Sequence, residues 1–166
     1  MKSMFVVRQF AAPDRRATDI LPLPHDRRAK SRQNFSLPGD ESILCQLPPG
    51  VTPHDGAKLL AENESGQIKI IQIEAASESL IEARAAAMLL ARAAWHLGNR
   101  HVALEIGEDA AGFFLRFPLD HVLEAMLAGL GCATRRITAP FNPEEGAYAG
   151  HRHGGGQSGA MIHGFK

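Results

Sequence analysis

His101-Val102-Ala103-Leu104-Glu105-Ile106, followed by Gly107 to Gly112 and then Phe113-Phe114-Leu115-Arg116-Phe117, is the stretch of the 166-residue chain that decides its fold. Both apolar runs alternate with period two, so they read as an antiparallel strand pair joined by a loop over residues 107–112. Upstream, Glu82 to Leu97 contains no Gly or Pro and is dominated by alanine, which predicts a helix. Ala86, Leu89, Leu90, Ala93 and Leu97 form its apolar stripe, while Met88 and Trp95 fall outside it beside Arg84 and imply a second contact. Gly98 stands where a C-terminal cap is expected. Downstream, Pro118 introduces a second helix over Leu119 to Leu130, closed by Gly131, and Cys132 to Ile137 offers a last strand before Pro140.

With Ser79 to Ala83 as the opening strand, the order becomes β-α-β-β-α-β, that of a ferredoxin-like sandwich. Residues 1–75 differ in character. Pro13, Pro22, Pro24, Pro38, Pro48, Pro49 and Pro53 forbid long helices there. The short apolar stretches Met4 to Val7, Ile43 to Leu47 and Ile68 to Ile73 predict a small, loop-rich β domain. The expected class is α+β, with a β domain over 1–75, a ferredoxin-like domain over 76–149 and a flexible Gly/His tail over 150–166. Up to Arg32 the chain holds eight basic residues against three acidic ones, concentrated in Asp14-Arg15-Arg16 and Asp26-Arg27-Arg28-Ala29-Lys30. These are either a solvated loop face or a patch for an acidic partner.

Eighteen basic and eighteen acidic residues cancel, so no global field draws the chain to nucleic acid or to an anionic membrane. The two cysteines, Cys45 and Cys132, are far apart and outside any CxxC, which excludes a zinc finger, a redox pair or a disulfide framework. The first ten residues are too polar for a signal-peptide core, and no window approaches 18 apolar residues. A soluble, cytoplasmic protein is expected. No Gly-rich phosphate loop follows a strand and no G-x-S-x-G occurs, so an enzyme is not expected.

On the second helix, Val122, Leu123, Met126, Leu127 and Leu130 share one arc and predict the face toward the sheet. His121 projects to the opposite side, among Glu124, Ala125 and Ala128. Two readings stand: an idle, solvated imidazole, or a contact face where two copies meet on a two-fold axis and pair His121 with its duplicate. Asp120 either offsets the helix-end dipole or orients the ring. The tail carries His151-Arg152-His153, then Gly154-Gly155-Gly156, with His163 near the end. Incidental histidines in a solvated tail are one reading. The other is a metal site of adjustable coordination, since imidazole suits zinc, copper, iron and nickel and glycines let both rings of His-x-His reach one ion. Binding by such a donor set weakens in acid, where free imidazoles take up protons.

Three blocks then resemble one family. Ala94-Trp95-His96-Leu97-Gly98-Asn99-Arg100-His101-Val102, Asp120-His121-Val122-Leu123 with Met126-Leu127, and Pro140-Phe141-Asn142-Pro143-Glu144-Glu145-Gly146-Ala147-Tyr148 are similar, in order and spacing, to the UreE family of urease accessory proteins. The resemblance covers the second half well and the first half in character only. It implies a homodimeric nickel metallochaperone, acting with an accessory GTPase on apo-urease, whose N-terminal domain binds peptide or protein partners. It makes His121 the central metal ligand and His151 and His153 auxiliary ligands. His96 and His101 are read as structural. The last strand has no histidines and the tail has few, which argues against a separate strand site and against storage. Zinc or copper is expected to compete in vitro.

The rival reading is an RNA-binding module, because RNA recognition motifs share this element order and Gly112-Phe113-Phe114-Leu115-Arg116-Phe117 faintly matches their aromatic strand. Glu105, Glu108 and Asp109 beside it would repel phosphate.

Overall fold

A computed structural model of the chain describes residues 4–37 and 41–144. In the first half, β1 (Met4–Phe10), β2 (Asp19–Leu23), β3 (Arg32–Leu37), β4 (Glu41–Gln46), β5 (Lys58–Asn63) and β6 (Ile68–Ala75) form a six-stranded sheet in the order β2-β6-β5-β1-β4-β3. The apolar stretches expected to be strands are β1, β4 and β6, and their inward residues Phe5, Val7, Ile43, Ile71 and Ile73 are buried in one cluster. Pro22 is tolerated inside β2 because that strand is an edge, where a missing N–H costs no ladder bond. A short helix, α1 (His25–Arg28), follows Pro24 and bridges β2 to β3.

The second half runs β7 (Ser77–Arg84), α2 (Ala87–Gly98), β8 (Glu105–Asp109), β9 (Gly112–Pro118), α3 (His121–Gly129) and β10 (Ala133–Pro140). Its four strands pair antiparallel throughout in the order β10-β7-β9-β8. The element sequence is the expected one, but several boundaries move. Glu82 to Arg84 belong to β7 and not to the helix, because pairing to both β9 and β10 overrides their helix propensity. The strand expected at His101 to Ile106 begins only at Glu105, and the hairpin turn is Ala110-Ala111, closed by the Asp109–Gly112 pair. The left-handed residue after α2 is His101 (φ 56°), not Gly98. After α3, Gly131 (φ 96°) fills that role as expected.

Leu90, Ala93, Leu97 of α2 and Leu127 of α3 are buried against Ile81, Leu115 and Phe117 of the sheet. The sheet's other face carries a charged cluster. Glu82, at 0% exposure, pairs with Arg84 (2.7 Å), Arg116 (3.0 Å) and Arg135 (2.7 Å), and these reach on to Asp109 and Glu105. Phe114 lies on this face with the Arg116 guanidinium 4.0 Å from its ring centroid. Its ring covers Gly107, where a Cβ would come within 2.3 Å of it, so any larger residue there would force the Phe114 ring to move. Cys45 and Cys132 are buried free thiols, one in each half, and burial pushes both thiols up.

Candidate metal centre

The register brings four chain points to one end of the four-stranded sheet: the start of β7, the end of β9, the start of β8 and the end of β10. His121 follows the end of β9 by three residues and therefore stands at that end. Leu119 N donates to Ser79 O at 3.2 Å, tying this approach to β7. Asp120 is the N-cap of α3: its backbone is extended (φ −147°, ψ 115°) and Oδ1 accepts from Val122 N at 2.8 Å and Leu123 N at 3.0 Å. The Asp120 carboxylate thus organises the first helical turn, satisfying two of its otherwise unpaired N–H groups.

His121 is exposed, and among the described residues no side chain hydrogen-bonds its ring. Ala125, Ala128 and Gly129 on the same side are exposed as well. Val122, expected against the sheet, is 62% exposed, and Leu119 beside it is exposed too. The buried arc of α3 is narrow, comprising Leu123, Met126, Leu127 and Leu130. At about 100° per residue Val122 lies near 90° from its centre, at the rim. The helix therefore shows solvent one imidazole amid an apolar, small-residue face. Glu124 is turned aside by Arg136 of β10, whose Nε and Nη2 donate to Oε2 at 3.1 and 2.9 Å.

Among the described residues no three His, Cys, Asp or Glu side chains come together as a metal cluster. His151 and His153, the other two expected ligands, lie outside the described residues, as do His163 and Glu145 to Tyr148. The chain before them is described as far as Glu144, and residues 141–144 cross the same sheet end. After β10, Asn142 N donates to Glu105 Oε2 (3.0 Å) and Glu144 N donates to Leu104 O (2.8 Å), at the start of β8. From Glu144, the seven residues to His151 span up to about 23 Å when extended. Neighbouring strands are only about 4.8 Å apart, so such a tether exceeds the width of the sheet end.

The other histidines of the similar blocks have structural settings. His96 packs edge-on against the Trp95 ring (centroids 4.9 Å apart), and its carbonyl accepts from Arg100 Nη1 at 2.8 Å. His101 makes the left-handed turn after α2, its N–H donating to Gly98 O at 2.9 Å. Met88 and Trp95 are exposed, leaving the second α2 patch uncovered among the described residues.

A junction that the sequence reading missed joins the two halves. Arg28, grouped there with solvated or partner-docking basic residues, is 2% exposed. It donates to Phe141 O and, at 3.2 Å, to Asn142 Oδ1. Phe141 is fully buried, edge-on to the His25 ring at 5.5 Å between centroids, and His25 N donates to Glu78 Oε1 at 2.7 Å. The only sequence signal was the short spacing from Pro24 to Arg28, which builds one turn of helix. Arg15, Arg16, Lys30 and Arg32 are exposed as expected.

The aromatic platform an RNA recognition motif requires is not formed. Leu115 and Phe117 face the helices, Phe113 shares their side of β9 by the period-two rule, and Phe114 on the open face is only 6% exposed.

Residues 78–165 match the family model described as UreE urease accessory protein, C-terminal domain. The chain is 45% identical over 148 residues to a urease accessory protein UreE of Dechloromonas aromatica, covering 89% of this chain and 83% of that one. It is 38% identical over 165 residues to one of Azorhizobium caulinodans, covering 98% and 76%. A third, from Burkholderia pseudomallei, is 41% identical over 136 residues, covering 81% and 63%.

Proposed function

Because the chain belongs to the UreE family of urease accessory proteins, which are accessory chaperones and not enzymes, we propose that it is a nickel metallochaperone that hands nickel to apo-urease. It works as a homodimer, in concert with an accessory GTPase, in the cytoplasm. Among the described residues no helix is long and apolar enough to cross a membrane.

The observation that carries the reading is the place of His121, an exposed imidazole on an apolar helix face at the sheet end that residues 141–144 cross. One imidazole holds nickel weakly. A two-fold axis through the face of Val122, Ala125 and Ala128 doubles it and covers the apolar side chains at the same time. His151 and His153 then complete the donor set from their tether. Ligands recruited from a tail lose order on binding, so the ion is released more readily than from a rigid cage, as delivery requires. Selectivity comes from supply and partners, since copper outranks nickel and zinc at nitrogen sites. In this reading residues 76–149 are a ferredoxin-like metal-binding and dimerisation domain, residues 1–75 a β domain for peptide or protein partners, and residues 150–166 a Gly/His tail that supplies ligands. Nothing favours the RNA-binding alternative.

Equilibrium dialysis with nickel, combined with a solution mass measurement, tests this. The intact chain should be a dimer that binds nickel, and His121→Ala should remain dimeric while losing most of its affinity. A monomer at high concentration that takes up no nickel refutes the proposal.

A further inference from the structure

In the second half of the chain Arg84, Arg116, Arg135 and Arg136 each meet a carboxylate. The first half holds its basic residues differently. Arg8, Arg15, Arg16, Lys30 and Arg32 are all exposed, and among the described residues none lies within ion-pair distance of an acidic side chain. The nearby acidic residues Asp14 and Asp26 are exposed as well and pair with none of them.

The topology gathers these five basic residues at one end of the six-stranded sheet. β1 and β4 run parallel with Val7 opposite Cys45, so Arg8 comes level with Gln46, and Gln46 pairs with Arg32 of β3. Val7 and Cys45 are buried, so by the period-two rule Arg8, Gln46 and Arg32 stand on the outer face. Arg8 and Arg32 are two strand spacings apart, about 10 Å, and Lys30 leads into β3. On the other side of β1, β5 starts at this same end, where Leu59 pairs with Phe10. Lys58 Nζ donates to the carbonyls of Pro13 and Arg15, both at 2.6 Å, and pins the loop bearing Arg15 and Arg16 over that start. A basic stripe thus runs across the ends of β3, β4, β1 and β5. Two residues further along the strands, the same face carries the Val6–Leu44 pair, half-buried.

Five unpaired like charges repel one another, a cost to the folded state that an outside counter-charge relieves. We infer that the stripe docks an acidic segment of a partner protein, its carboxylates meeting the guanidinium groups and its apolar side chains meeting Val6 and Leu44. This deepens, and rests on, the reading of residues 1–75 as a domain for peptide or protein partners. An extended chain rises about 3.3 Å per residue, so carboxylates on alternate residues recur about every 7 Å and keep pace with the stripe. Guanidinium forks match carboxylates in geometry as well as charge. The aliphatic pair favours a peptide over a stacked base, and Phe10, level with the buried Leu59, falls on the other side of the sheet.

Fluorescence anisotropy of the full-length protein with a labelled peptide of alternating glutamate and leucine, at low salt, supplies the test. Peptides with lysine or serine in place of glutamate, oligothymidylate and phosphatidylserine vesicles serve as competitors. The glutamate peptide should bind most tightly and lose affinity as salt rises. Arg8→Glu/Arg32→Glu should weaken it about 10-fold or more and turn the preference toward the lysine peptide. Arg15→Glu/Arg16→Glu, on a loop outside the sheet, should weaken it too and gives the answer if the strand variant fails to fold. Arg92→Glu/Arg100→Glu makes the same change of charge on exposed arginines of the second half and should bind as the wild type does. An equal loss in that variant, wild-type affinity in both first-half variants, or tighter binding of oligothymidylate or of the vesicles overturns the inference. Tighter binding of the lysine or serine peptide overturns it while leaving residues 1–75 a partner domain. No binding of any peptide overturns both.

Discussion

At Glu82 one fully buried carboxylate faces three guanidinium groups. Burial alone would raise its carboxyl, but hydrogen bonds from Arg84, Arg135 and Arg116 outweigh that and hold it below the ordinary value of 4.5. The folded state therefore favours the ionised form. The stability this contributes is fully present above pH 4.5 and is lost as pH falls toward the lowered folded value. Glu82→Gln should destabilise the protein at neutral pH by about 2 to 4 kcal/mol in urea unfolding, less than for a wholly buried pair because the arginines keep some water. It should also flatten the loss of stability in acid. Unchanged acid sensitivity would mean that other carboxylates govern it. The ion cluster was not legible in the sequence, where Glu82 fell both in the expected opening strand Ser79 to Ala83, as observed, and at the start of the alanine-rich run read as helix. Its true setting depends on Arg116 and Arg135, 34 and 53 residues away.

At the level of elements, α3 shows how a short helix is set by its first residue. Asp120 satisfies two amides of the opening turn, the turn that carries His121. Asp120→Ala should cost about 1 kcal/mol in thermal unfolding and Asp120→Asn much less. The alanine variant should also bind nickel more weakly than its lost stability explains, since fraying moves the imidazole. Periodicity made the elements of the second half legible in order and type, and it placed His121 opposite the buried arc of Leu123, Met126 and Leu127. It failed at boundaries. Pairing on both sides of β7 delayed α2 to Ala87, and the two-residue turn at Ala110-Ala111 left Gly107 inside a strand, where its role is to admit the Phe114 ring.

Over the whole molecule, the junction of His25, Arg28, Phe141 and Glu78 is the feature local patterns could not reveal, because its members come from distant parts of the chain. Burial, and then Arg28, pulls the His25 imidazole below its ordinary 6.5, against the opposing influence of Glu78 and Asp26. The fold thus prefers the neutral ring, and the stability this preserves above pH 6.5 is lost as pH falls toward the folded value. Melting temperatures from pH 7.5 down to 5 should fall more steeply for the wild type than for His25→Gln; parallel curves would assign the loss elsewhere. The tail histidines expected as ligands lie outside the described residues, and the course of residues 141–144 that precede them was not legible in local patterns. That course has a practical side. β8 is a sheet edge, and Glu144 covers the outward carbonyl of Leu104 just ahead of it. Bare edges invite strand pairing between molecules, so a shortened form prepared to remove the histidines should resist aggregation when the cut falls after Glu144 and precipitate more readily when it falls before.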